Sequence, residues 1–163
     1  MVPPAIVETS SVLFLSHCRC ATSPITLADE ILSRASPEAN LWAARRANAR
    51  AVRNEYTAAL KAHDVRGGGY AACTDEAYRR LFDGPARLLR QIRGLPRGAN
   101  VRDSMNLVEL STISLTEALA AERIEEEVCR GNKECQQATG RTATNVRRVI
   151  DLERADRQTR LLP

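Results

Sequence analysis

The sequence predicts an all-α fold, a compact bundle of five to six helices around one long helix over about residues 107–129, with a loose N-terminal arm. Three observations carry this. Aromatic residues are 4% of the chain while 44% is apolar, with much Ala and Leu, a composition that packs helices closely and suits sheets poorly. Residues 107–129 show two apolar stripes at helical spacing. One holds Leu107, Leu110, Ile113, Ala121, Ile124 and Val128, the other Val108, Leu115 and Leu119. A surface helix needs one stripe, so two predict a helix packed on both sides. Third, Ser36-Pro37-Glu38 is a strong helix start: a capping hydroxyl, a proline at the first helical position, and an acid suited to the N-terminal dipole.

The 163 residues suffice for one domain with a core. Residues 1–23 read as an irregular arm, 24–152 as the helical domain and 153–163 as a frayed or disordered tail. After Pro24, residues Leu27, Ala28, Ile31 and Leu32 have helical spacing. The helix begun at Ser36 is expected to reach about His63. Its wheel puts Leu41, Ala44, Ala51, Val52, Ala59 and Ala62 on one face and Arg46, Arg50, Arg53 and Lys61 on the opposite one. Asn48 and Glu55 fall inside the apolar arc, where each would need a polar partner.

Arg66 and the glycines Gly67, Gly68 and Gly69 end that helix, as a hinge or as a close approach of backbone to a partner. No Lys-Ser or Lys-Thr pair follows, so they do not form a phosphate-binding loop. Thr74 is the expected cap of a short helix carrying Tyr78, Leu81 and Phe82. Asp83-Gly84-Pro85 breaks it, and Leu88, Leu89 and Ile92 pattern the next. Past the long helix, Gly131-Asn132 marks a stop. A last helix then buries Ala143, Val146, Val149 and Ile150, with Arg148 outside and Arg147 at its edge.

Catalytic chemistry is scarce. His17 and His63 adjoin no nucleophile motif, and the glutamates of residues 122–127 read as a solvated face; no enzymatic activity is expected. His17, Cys18 and Cys20 do not combine with Cys129 and Cys135 at any common zinc spacing, so no metal or cofactor is expected. Five irregularly spaced cysteines indicate reduced thiols in a cytoplasmic compartment, with Cys73 and Cys129 as small buried apolar residues. No apolar run approaches the length of a membrane helix.

The net charge is +4, yet residues 106–129 hold one Arg against six Glu, between flanks that are net basic. Two explanations stand side by side. The charges complement each other within the molecule, or a basic face binds an anionic partner, nucleic acid above all. For the second, Arg46, Arg50 and Arg53, with Arg79, Arg80, Arg87 and Arg90, are the candidate contacts. Against it, no aromatic residues are interleaved for stacking on bases, and no helix-turn-helix is recognisable.

The most position-specific stretch is the turn from Gly94 to Met105, GLPRGANVRDSM. Gly94 suits a left-handed helix end and Pro96 stops continuation. Gly98 and Asn100 tolerate positive φ, and Asp103, Ser104 or Asn106 is placed to cap the next helix. Arg102 and Asp103 can pair with each other or lock the turn. Glu117, inside the main apolar stripe, calls for an arginine from a neighbouring helix.

This turn, with Thr74, Tyr78, Leu81 and Phe82 before it and Val108-Glu109-Leu110, Ser114, Glu117, Ala118, Glu122 and Ile124 after it, resembles the C-terminal helical region of the DNA-damage-inducible protein D family. The same region recurs in prophage proteins with Bro-type or antirepressor-like N-terminal domains. The run TGRTATNVRRVID, Thr139 to Asp151, is similar to the family's closing helix, so the resemblance spans about residues 67–151. Ser104 stands where the family pattern leads one to expect histidine, and the residues before Pro24 do not resemble a complete Bro-type domain. The resemblance implies a bacterial or phage-derived accessory protein of the DNA-damage (SOS) response or of prophage regulation. It would work by binding a protein partner such as a recombinase or repressor. A nucleic-acid-binding role for the arginine face is the alternative, and the low net charge leaves homo-oligomers open.

Overall fold

In the computed structural model the described residues are 36–161, and these form five α-helices, one short 3₁₀ turn and no strand. The arm and the segment after Pro24 lie outside the described residues. The helices are α1 (Pro37–Ala62), α2 (Gly69–Phe82), α3 (Ala86–Ile92), α4 (Leu107–Glu126) and α5 (Gly131–Leu161), with the 3₁₀ turn over Val101–Ser104. The compact unit containing the core and the site begins at Leu41. Among the described residues no helix is long and apolar enough to cross a membrane.

Two buried clusters share the four long helices, and their membership gives the topology. Ala49 of α1, Ala77 and Leu81 of α2, Leu110 and Ile113 of α4, and Ala143 and Val146 of α5 meet in one cluster. Tyr56 and Leu60, Cys73, Ala120 and Ile124, and Cys135 and Ala138 meet in the other. Along α1 and α4 the chain passes from the first cluster to the second, and along α2 and α5 it returns. This is up-down-up-down packing, in which each amphipathic helix buries one stripe against antiparallel neighbours.

The helix starting at Pro37 is as expected, with the Ser36 hydroxyl accepting from Ala39 N at 3.2 Å. Its buried face is turned from the expected one, of which Ala59 is buried but most of the rest is not. Tyr56 and Leu60 are fully buried, while Leu41 is half-exposed and Ala44, Ala51 and Ala62 are exposed. Burying an aromatic ring and a leucine removes far more apolar area than burying alanine methyls, so these two residues set the rotation of α1. Asn48 and Glu55 consequently face solvent and need no buried partner.

Three boundaries also differ. Thr74 does not cap α2, which begins at Gly69. Gly131 opens α5 rather than stopping a helix. The tail expected from residue 153 continues as helix to Leu161, its side chains exposed through Arg160. Ion pairs at helical spacing, Glu153 with Arg157 at 2.6 Å and Asp156 with Arg160 at 3.1 Å, support that end.

Of the three glycines, two have defined roles. Gly67 is left-handed, at φ 55°. Gly69 faces Asn132 so closely that a Cβ would lie 2.3 Å from its Oδ1. That amide bridges the loop, accepting from Arg66 N at 2.8 Å and donating to Arg66 O at 3.2 Å. The close approach foreseen for the glycines is therefore to the chain's own Asn132.

Candidate functional site: an arginine cleft beside an apolar groove

The turn before α4 is pinned at both ends. Gly94 ends α3 at φ 63°, and Leu95 N donates to Arg90 O at 2.9 Å. Pro96 follows outside the helix. Gly98 lacks a positive φ, and Asn100 sits at φ −77°, its side chain accepting from Arg102 N to start the 3₁₀ turn. Asn106 wins the capping position: its side chain accepts from Glu109 N, and Glu109 accepts in return from Asn106 N, both at 3.0 Å. Arg93 clamps the assembly through Glu109 (2.6 Å) and the Ser104 carbonyl (2.9 Å). The Ser104 hydroxyl donates to Val101 O at 2.8 Å, so serine in place of the expected histidine closes the turn.

Arg102 and Asp103 do not pair with each other. They point to opposite partners because the 3₁₀ turn separates neighbouring side chains by roughly a third of a turn. Arg102 grips Glu117 of α4 in a two-pronged fork, one prong at 3.0 Å, and its Nε donates to the Tyr78 hydroxyl at 3.1 Å. Burial opposes the charge on Arg102, but Glu117 more than offsets it and raises the guanidinium pKa. Arg53 approaches the same carboxylate from α1 at 2.7 Å and donates to Thr74 Oγ1 at 2.8 Å, its guanidinium 5.6 Å from the Tyr56 ring centre. Glu117 is 1% exposed. The expected arginine partner is thus two arginines. Asp103 accepts instead from Arg46 of α1.

Around this centre α1, α2, α3 and the turn leave a cleft of about 340 Å³. Of the seven candidate arginines it gathers Arg46, Arg50, Arg53 and Arg90, and it adds Arg102. Its walls include Ala49, Tyr78, Val101 and Leu110. The basic face expected on α1 is therefore not a free stripe: Arg53 is drawn inward by Glu117, and Arg46 is paired. The guanidinium groups of Arg50 and Arg90 have no hydrogen-bonding or ionic partner among the described residues. Arg79 and Arg80 lie elsewhere, on Glu76, with Arg80 Nε at 2.8 Å. Burial of Glu76 opposes ionisation, but the two arginines prevail and lower its pKa. Arg87 is exposed and does not line the cleft.

A second feature lies on α4 and α5. The second apolar stripe, predicted to be packed, is exposed: Val108 at 61%, Leu115 at 52% and Leu119 at 39%. With Leu107 and Val149 these residues line a groove of about 650 Å³ that has no charged residue in its walls. The other four helices leave this side of α4 uncovered among the described residues. Single exposed leucines are ordinary, whereas a continuous strip is the usual mark of an interaction surface.

No family model matches the chain, and no curated protein matches it.

Proposed function

We propose that the protein is a non-enzymatic regulatory module that binds a protein partner. The observation carrying this reading is the uncharged α4–α5 groove. An apolar surface of this kind is costly to leave in water and gains from being covered by another chain. The family resemblance of the turn and of α4 supports a role in the damage response or in prophage regulation, with a cytoplasmic recombinase- or repressor-like partner. The test is binding of purified recombinase filaments and of phage repressor to the full chain and to Leu115→Lys/Leu119→Lys. Both leucines are exposed, so stability should move by no more than about 0.5 kcal/mol while partner binding falls at least about tenfold. Retained binding in this variant would sink the reading. Sedimentation across a concentration series reports a homo-oligomer closing on the same groove.

The unpaired guanidinium groups of Arg50, Arg87 and Arg90 favour a second reading, direct nucleic-acid binding. Anisotropy with labelled single- and double-stranded DNA at ~50 and ~200 mM salt tests it. The variant to use is Arg50→Ala/Arg90→Ala, because removing Arg53 would disturb the buried Glu117 centre. Steep salt dependence abolished in that variant supports this reading, and no binding at low salt removes it.

A further inference from the structure

We propose that the arginine cleft is a docking site for a carboxylate, carried on an acidic segment of a partner protein and held by Arg50 and Arg90. Five arginines line the cleft against one carboxylate in its wall, Asp103, and a second, the buried Glu117, is held by two of those arginines. Three of the five already show what the cleft accepts: Arg46 holds Asp103, while Arg53 and Arg102 hold Glu117. Guanidinium forks match planar carboxylates. Arg50 and Arg90 face the same space with their donors unused among the described residues. An incoming carboxylate completes the pattern that the internal acids begin.

The shape selects among anions. A nucleic-acid backbone needs cations along an open track, whereas this is a recess of about 340 Å³ with Ala49, Val101 and Leu110 in its walls. Asp103, about half exposed, would repel a run of phosphates but leaves room for one carboxylate at Arg50 and Arg90. Tyr78 is buried at 4% exposure and its hydroxyl already accepts from Arg102, so its ring is not offered to a base. Apolar walls beneath a cationic rim fit an acidic side chain, or a chain terminus, next to an apolar residue.

The proposal rests on the protein-partner reading for the source of the segment, but its residues are separate from those of the α4–α5 groove. The experiment titrates the full chain into a fluorescein-labelled peptide of alternating glutamate and leucine, with free and amidated C-termini. The glutamine counterpart, amidated at its C-terminus so that it carries no carboxylate, and a single-stranded oligonucleotide of equal charge run alongside. The glutamate peptide should bind and the glutamine peptide should not. Arg50→Ala/Arg90→Ala should weaken binding about tenfold or more, as expected for lost charge-assisted hydrogen bonds. Neither arginine holds another described residue, so the thermal midpoint should not move. Equal binding of both peptide ends assigns a side-chain carboxylate, and binding of the free end alone assigns a terminus. Binding of the glutamine peptide, indifference to the arginine variant, or binding of the oligonucleotide alone overturns the proposal. Binding of the protein partner to Leu115→Lys/Leu119→Lys is measured apart from the peptide titration, so a failure of the groove reading shows itself separately.

Discussion

At the scale of single residues, Glu117 decides the geometry of the cleft. It is a buried acid that accepts from two arginines of different segments, Arg53 on α1 and Arg102 in the turn, and so ties α1 to the turn across α4. Replacing it with alanine would leave two guanidinium groups facing a buried space without a counter-charge. Such a loss typically costs about 3–5 kcal/mol, so Glu117→Ala should lower the urea midpoint sharply. Double-mutant cycles with Arg102→Met should recover part of the loss, because the second change removes one of the two stranded charges. Additive losses would show that the pair is not coupled. The need for a partner at Glu117 is legible from sequence, because an acid inside an apolar stripe is a conflict that something must settle. The identity of the partners is not. Arg53 lies on the polar side of a wheel drawn from alanines, and only the burial of Tyr56 and Leu60 turns it inward.

At the scale of elements, helix interiors are more legible than helix ends. Periodicity locates α1, α4 and α5 because the pattern repeats over many turns, and Gly94 marks its helix end because left-handed backbone suits glycine. The sequence gives no comparable signal at Val128. The stripe places this residue in the core, yet α4 ends at Glu126 and Val128 stands exposed at 61% with φ 51°. A β-branched residue is costly in that conformation. The helix end is fixed by backbone bonds, with Cys129 N donating to Ile124 O at 3.1 Å and Val128 N to Glu125 O at 3.2 Å. Glycine is the usual occupant of such a position. Val128→Gly should therefore stabilise the protein by about 1 kcal/mol, read as a raised urea midpoint with an unchanged slope. A drop in stability would mean that the valine side chain has a contact outweighing its strain. The cleft shows the same division. Arg46, Arg50, Arg53 and Arg90 are readable as cations, but that α1 and α3 bring them to one cleft depends on contacts distant in sequence, while Arg79 and Arg80 belong to Glu76 at helical spacing.

At the scale of the whole molecule, the two core clusters differ in chemistry, and this predicts how the fold responds to alkali. The second cluster holds Tyr56, Cys73, Cys129 and Cys135, all of which ionise to anions. Burial, reinforced by neighbouring Cys135, pushes the Cys73 thiol up to about 11. Burial also raises Tyr56, outweighing the help its anion would gain from the Thr139 hydroxyl, whose oxygen lies 2.7 Å away. Burial raises Cys129 and Cys135 as well, with Glu127 adding at the first and Cys129 at the second. In each case the folded state keeps a proton that the unfolded chain gives up at lower pH. The unfolded state then binds fewer protons than the native one, so stability must fall as pH rises. The contribution is fully present below the ordinary thiol value and is lost from there upward, through about 11 for Cys73. Urea midpoints measured from neutral pH to about 10.5 should decline, starting near the ordinary thiol pKa of about 8.5 and steepening where free tyrosine ionises near 10. Cys73→Ala should begin lower, through lost packing, but decline less steeply over the thiol range. An identical slope in that variant would mean that ionisation of the remaining groups, and not of Cys73, sets the alkaline limit of the fold.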